Sequence, residues 1–97
     1  MIEKVIEFST SYFELEKDDL LSDSRKNKVC VAKHVIMYYL HKDMNVSLSK
    51  IARMFKRKIW IVSYAMRKID GWLEYNVEFK DKYYAFKHDL EDFLKKE

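Results

Sequence analysis

Three histidines, one cysteine and sixteen acids are the side chains equipped for catalysis or metal binding. Their spacing supplies neither. His34, His41 and His88 fall in no His-Glu-x-x-His pattern and beside no acids at ligand spacing. Asp18-Asp19 and Glu91-Asp92 are adjacent pairs, which do not share a helix face and read as capping or solvated surface. Serine and histidine occur without the glycine-rich elbow of a triad hydrolase. Cys30, as the one cysteine, forms no intramolecular disulfide and builds no cysteine zinc site; it reads as a small apolar residue in a reducing cytoplasm. No enzymatic activity, metal or cofactor is expected.

The residues that can do chemistry of another kind lie between Lys56 and Arg67. Trp60, Ser63, Tyr64 and Arg67 recur at i, i+3, i+4 and i+7, one stripe of a helix. Ile59, Val62, Ala65, Met66, Ile69 and Leu73 form the opposite, apolar stripe and should face a core. Two aromatics and an arginine on the outer side look like a face meant to be covered. Lys56, Arg57 and Lys58 stand at its head, where basic groups neutralise phosphates. Arg67 can bond bidentately to guanine or to phosphate, and Ser63 and Tyr64 can do either with one bond. Trp60 can rest on a thymine methyl or on sugar. The competing reading buries Trp60 and Tyr64 beneath the first or last helix.

This face needs elements to hold it. Proline is absent and glycine occurs once, so the turn chemistry of an all-β domain is missing and an all-α fold is expected. Hydrophobic residues at 48% and charged residues at 36% give a globular balance, and 97 residues suit one domain spanning 1–97. Ser47 caps a short helix whose buried side is Leu48, Ile51, Ala52 and Phe55. The basic turn follows, then the helix Ile59 to Leu73, near whose end Gly71 is expected to loosen the last turn. A short capped helix, a tight turn and a longer helix make a helix-turn-helix, whose second helix enters the major groove.

Around it, Ile2 to Phe13 has helical spacing with Phe8 off the stripe, and Lys17 to Leu21 reads as a short helix capped by Asp18 or Asp19. Ser22 to Lys28 is a basic loop. Val29 to Lys42 is a helix with Lys33 and His34 pointing away from its apolar stripe, and Asp43 to Val46 is a connection. After the possible cap Asn76, Val77 to Lys95 carries a heptad-like seam of Phe79, Tyr83, Phe86, Leu90, Phe93 and Leu94. It either packs on the domain's own core or makes a homodimer. No apolar run approaches the roughly 18 residues of a membrane span, so no membrane partner is expected.

Charge is segregated. Residues 1–24 hold two lysines and seven acids, a net of −5; residues 25–68 hold twelve cations and one acid, a net of +11; residues 69–97 hold five lysines and eight acids, a net of −3. A surface normally intersperses both signs, and a block this one-sided repels itself unless a polyanion covers it. Nucleic acid is the economical partner; an acidic protein or self-association through the acidic ends is the alternative.

Asp19-Leu20-Leu21-Ser22, the basic loop, Lys33-His34, Ser47-Leu48-x-x-Ile51-x-x-x-Phe55 and Val62-x-x-Ala65-x-Arg67-Lys68-Ile69 resemble the C-terminal DNA-binding domain of the bacterial replication initiator family DnaA. The resemblance runs from about Val5 to Tyr83. It implies a Trp repressor-like fold with an extended helix-turn-helix, duplex DNA as partner, and a role in replication initiation or its regulation. A cytoplasmic location is expected, nucleoid-associated if the chain binds DNA. The resemblance matches Arg25 to the family's minor-groove arginine and Lys33-His34 to its phosphate-contacting pair. After Phe55 the sequence departs: Lys58, Ile59, Trp60 and Ile61 stand where the family places its base-reading Asp-His-Thr-Thr, one residue nearer the phenylalanine. That departure implies a different site, or binding driven mostly by phosphate. The initiator's phosphate-binding Gly-x-x-x-x-Gly-Lys-Ser/Thr loop is absent from the sequence. The opening Met1 favours a stand-alone module over a fragment. The expected DNA contacts are therefore Arg25, Lys28, Lys33, His34, Lys50, Arg53, Lys56, Arg57, Lys58, Trp60, Ser63, Tyr64 and Arg67. The rival is an adaptor that keeps the fold, binds no DNA and uses Trp60 and Tyr64 as anchors for a protein.

Overall fold

The computed structural model describes residues 2–21 and 27–96. Among them the chain forms six helices and no strand: α1 (Ile2–Tyr12), α2 (Lys17–Leu21), α3 (Asn27–Met44), α4 (Leu48–Met54), α5 (Ile59–Tyr75) and α6 (Val77–Lys95). Side chains punctuate them where glycine and proline do not. The Ser47 hydroxyl accepts from the Lys50 N–H at 3.1 Å and starts α4. The Asn76 side-chain oxygen accepts from the Phe79 N–H at 3.0 Å and starts α6, while its own N–H donates to the Trp72 carbonyl and closes α5. At α2 the Asp19 carboxylate reaches back to the Glu16 N–H at 3.0 Å, half of a capping box.

Left-handed residues end the helices. Glu14 after α1, Asn45 after α3 and Lys56 after α4 have φ of 57°, 57° and 53°. At Lys56 the turn closes with Arg57 N–H on the Ala52 carbonyl at 2.9 Å and Lys56 N–H on Arg53 at 3.3 Å. Those two bonds form a Schellman motif with lysine where glycine is usual.

Helix α3 is the axis of the domain. Val35 through Leu40 are six consecutive buried residues, so the helix is covered nearly all round by α1, α2, α4 and α5. That corrects the placement of Lys33: it does not point away but is 4% exposed, because the side of α3 it shares with Met37 and Leu40 is covered too. The helix also begins at Asn27 and runs to Met44, longer than its apolar stripe indicated. In α1, Phe8 is not off the packed side: its ring lies 5.1 Å from Phe93 and 6.2 Å from Phe86, centroid to centroid, because α6 covers that flank. Tyr12, expected on the stripe, is 40% exposed.

The seam of α6 is consumed within the chain. Tyr83, Phe86 and Leu90 are buried, and Phe86 sits among Phe8, Tyr12, Phe13 and Tyr39. Two polar links fix α3 against its neighbours. Tyr38 donates to Asp70 of α5 at 2.7 Å, and Tyr83 of α6 donates to Asp43 at 3.3 Å. Lys42 and Lys87 stand on the same carboxylates at 3.8 and 2.9 Å. Burial, then the hydrogen bonds to Asp70 and the charge of Asp43, push both phenols well above the usual tyrosine range, so they stay protonated donors.

Candidate nucleic-acid interface

Helices α4 and α5 pack on each other across the four residues Phe55 to Lys58, and the pair is seated on α3. Phe55, 2% exposed, is the pin: it ends α4 and plugs the core beneath the turn. Ile51 and Ala52 bury one side of α4, which leaves Lys50 and Arg53 on the other, both exposed. Val62, Ala65, Met66 and Ile69 bury one side of α5. The opposite side presents Trp60 at 65% exposure, Tyr64 at 54%, exposed Arg67 and half-buried Ser63. The reading that buries Trp60 and Tyr64 in the core is thereby excluded.

The turn joins the two faces. Lys56 and Lys58 are exposed, and Lys58 opens α5 without a side-chain cap and with no acid in the first turn. The head of the helix thus keeps its positive end uncompensated. Arg57 is half-buried and donates from Nη1 to the Lys56 carbonyl at 3.2 Å, so part of its fork is spent on the turn. Among the described residues no ion pair engages Lys50, Arg53, Lys56, Lys58 or Arg67. Elsewhere lysines do meet acids, as in Lys82–Glu78 and Lys96–Asp92 on α6.

Other expected contacts are placed differently. Lys28 is exposed at the start of α3 but lies 3.8 Å from the Glu14 carboxylate. Lys33 is buried, as described above. His34 is half-buried, and its Nδ1 is enclosed without a hydrogen-bond partner. Desolvation, then the charges of Lys68 and Lys33, hold its pKa down to about 4, so the imidazole is neutral. Arg25 falls outside the described residues.

The helical period puts Ile59 on the core stripe, yet in the structure it is 49% exposed. Its angular position is close to that stripe, but it is the first residue of α5 and stands beyond the edge of the core. It joins Trp60 at the head of the helix. Being a helix's first residue is the sequence signal that would have moved it outward. No group of three or more His, Cys, Asp or Glu that could hold a metal occurs among the described residues. Among them, too, no helix is long and apolar enough to cross a membrane.

Comparisons agree with this layout. Residues 2–69, from α1 into α5, match the model of the bacterial dnaA protein helix-turn-helix family. The chain is 36% identical over 95 residues to the chromosomal replication initiator protein DnaA of Aquifex aeolicus, covering 97% of this chain and 22% of that protein. It is 35% identical over 68 residues to DnaA of Pseudothermotoga lettingae, and 38% over 66 residues to DnaA of Clavibacter sepedonicus. These cover 70% and 67% of this chain and 15% and 14% of those proteins. The chain thus spans about a fifth or less of the length of these relatives. An all-α domain whose α4, basic turn and α5 form a helix-turn-helix, matched by that model over most of its length, belongs to the bacterial DnaA helix-turn-helix family.

Proposed function

We propose that this chain binds duplex DNA, with α5 in the major groove and the α4 face and basic turn on the flanking phosphates, in the initiation of replication or its regulation. The observation that carries the reading is the outer face of α4 and α5: five cations without an acid partner among the described residues, set around exposed Trp60 and Tyr64. Its polarity is that of a phosphate-neutralising surface with a groove-reading centre. The family match supports the same use, since the relatives are named as replication initiators.

Within this reading the contacts fall into groups. Lys50, Arg53, Lys56 and Lys58 hold phosphates. Trp60, Ser63, Tyr64 and Arg67 face the bases. Arg57, half-spent on its own turn, supports Lys56. Lys28 and His34 reach the backbone from the side of α3, Lys28 after leaving Glu14; for Arg25 the reading rests on the family resemblance alone. Lys33, enclosed at 4% exposure, drops out of the set of direct contacts.

The test is fluorescence anisotropy of a labelled mixed-sequence duplex across a salt series. Each phosphate-bound cation contributes about 0.9 to the slope of log affinity against log salt, so Lys50, Arg53, Lys56 and Lys58 by themselves give a slope of about −4, and any further backbone contact steepens it. Lys58→Glu combined with Arg67→Glu should abolish the binding. No binding by the wild-type chain at low salt would overturn the proposal. The exposure of Trp60 and Tyr64 favours a second reading in that event, an adaptor using both rings as anchors for a protein. Trp60→Ala would then be the variant that hurts partner capture most.

A further inference from the structure

The head of α5 is chemically unusual for a surface that reads bases. Its two most exposed side chains in the first turn are Ile59, at 49%, and Trp60, at 65%. Hydrogen-bond readout in the major groove needs particular groups: Asn or Gln for adenine, Asp or Glu for cytosine, Arg or Lys for guanine. From Lys56 to Ile69 there is no Asn, Gln, Asp or Glu. The first acid on α5 is Asp70, and it is held by the Tyr38 hydroxyl at 2.7 Å and faces Lys42 at 3.8 Å. The indole N–H of Trp60 donates only, and Ser63 is half-buried. One feature of the major-groove floor matches an apolar side chain, the 5-methyl group of thymine.

Resting on the DNA-binding reading above, we infer that Ile59 and Trp60 are specificity-determining residues that recognise thymine 5-methyl groups by apolar contact. The cations around them commit the occupant to a polyanion, and an isoleucine and a tryptophan gain nothing against hydrated phosphate. They gain by leaving water against a methyl. The energetics then separate into two parts. Lys50, Arg53, Lys56 and Lys58 supply affinity that depends on salt and not on sequence, and the head of α5 supplies discrimination that depends on thymine and not on salt.

The experiment compares one mixed-sequence duplex with the same duplex carrying deoxyuridine in place of every thymidine. The exchange removes the methyl and leaves the hydrogen-bonding edges alone. Affinity should fall about fourfold for each contacted methyl, the value of one buried carbon, with the salt slope unchanged. In Trp60→Ala and Ile59→Ala that loss should shrink towards none; both side chains are exposed, and far-UV circular dichroism checks that the variants fold. Equal affinity for the two duplexes overturns the inference while leaving DNA binding intact. A uracil penalty that persists undiminished in both variants places the methyl contact elsewhere and overturns the assignment. Failure to bind either duplex overturns the DNA-binding reading, and this inference with it.

Discussion

Lys56 holds a left-handed conformation, φ 53°, at the junction of α4 and α5. A side chain there costs about 1–2 kcal/mol against the following carbonyl, a cost glycine avoids. Lys56→Gly should therefore raise the unfolding free energy by about 1 kcal/mol in urea titration. If Lys56 holds a phosphate, the same change should make the salt slope of DNA binding shallower by about 1. The two effects have opposite sign, which separates a charge kept for binding from one kept for folding. His34 gives a second prediction, in pH. Its pKa is ordinary in the unfolded chain and about 4 when folded, because desolvation, Lys68 and Lys33 oppose its charge. A depressed folded pKa means stability that is present above about 6.5 and lost as pH falls towards 4. The unfolding free energy of the wild type minus that of His34→Gln should decrease across that window. A difference that stays flat from pH 7 to 4 would show that the folded environment leaves His34 unperturbed. At this scale the sequence made Trp60, Tyr64 and Arg67 legible, because a 3.6-residue period separates one helix face from the other. It misplaced Lys33 and Ile59, because side-chain type says polar or apolar but not how far the neighbouring helices reach.

Helix α5 continues four residues past Gly71, to Tyr75, with no positive φ at the glycine. A methyl group added at Gly71 would meet nothing within 4 Å. An interior glycine weakens a helix by about 0.8–1.0 kcal/mol relative to alanine. Gly71→Ala should therefore stabilise the domain by about 1 kcal/mol in thermal or urea unfolding, and α5 should hold its outer face unchanged. Destabilisation would mean that a side chain at position 71 meets an obstruction in the folded protein. The glycine was expected near the end of its helix because glycine commonly follows a helix; here the end comes from Asn76, which closes α5 and caps α6 together. The same contrast runs through the other elements. The starts of α4 and α6 were legible, since Ser47 and Asn76 carry side-chain caps. The extent of α3 was not, since a helix covered on nearly all sides has a weak stripe, and its end at Met44 is set by the backbone of Asn45 in the left-handed region.

At the scale of the molecule, the apolar seam of α6 argues for a monomer over a homodimer. Tyr83, Phe86 and Leu90 are 3%, 1% and 0% exposed, and what covers them is α1, α3 and α5 of the same chain. A second copy could reach them only by unfolding those contacts. What α6 leaves outside is mainly charged and polar, with Glu78, Asp81, Lys82, His88, Glu91 and Asp92 exposed, interrupted by Val77 and Tyr84. A stable isologous interface needs roughly 800 Å² from each partner around a desolvated centre, and this face offers no such centre. Sedimentation equilibrium at micromolar concentration should therefore return the mass of a single chain, at low and at high salt alike. Twice that mass would show that α6, or another face, pairs two copies. A monomer has a consequence for recognition. Under the DNA-binding reading proposed above, a monomer would present one α5 to one stretch of groove and impose no two-fold symmetry on the DNA, so binding should titrate with a stoichiometry of one chain per site and without cooperativity between chains.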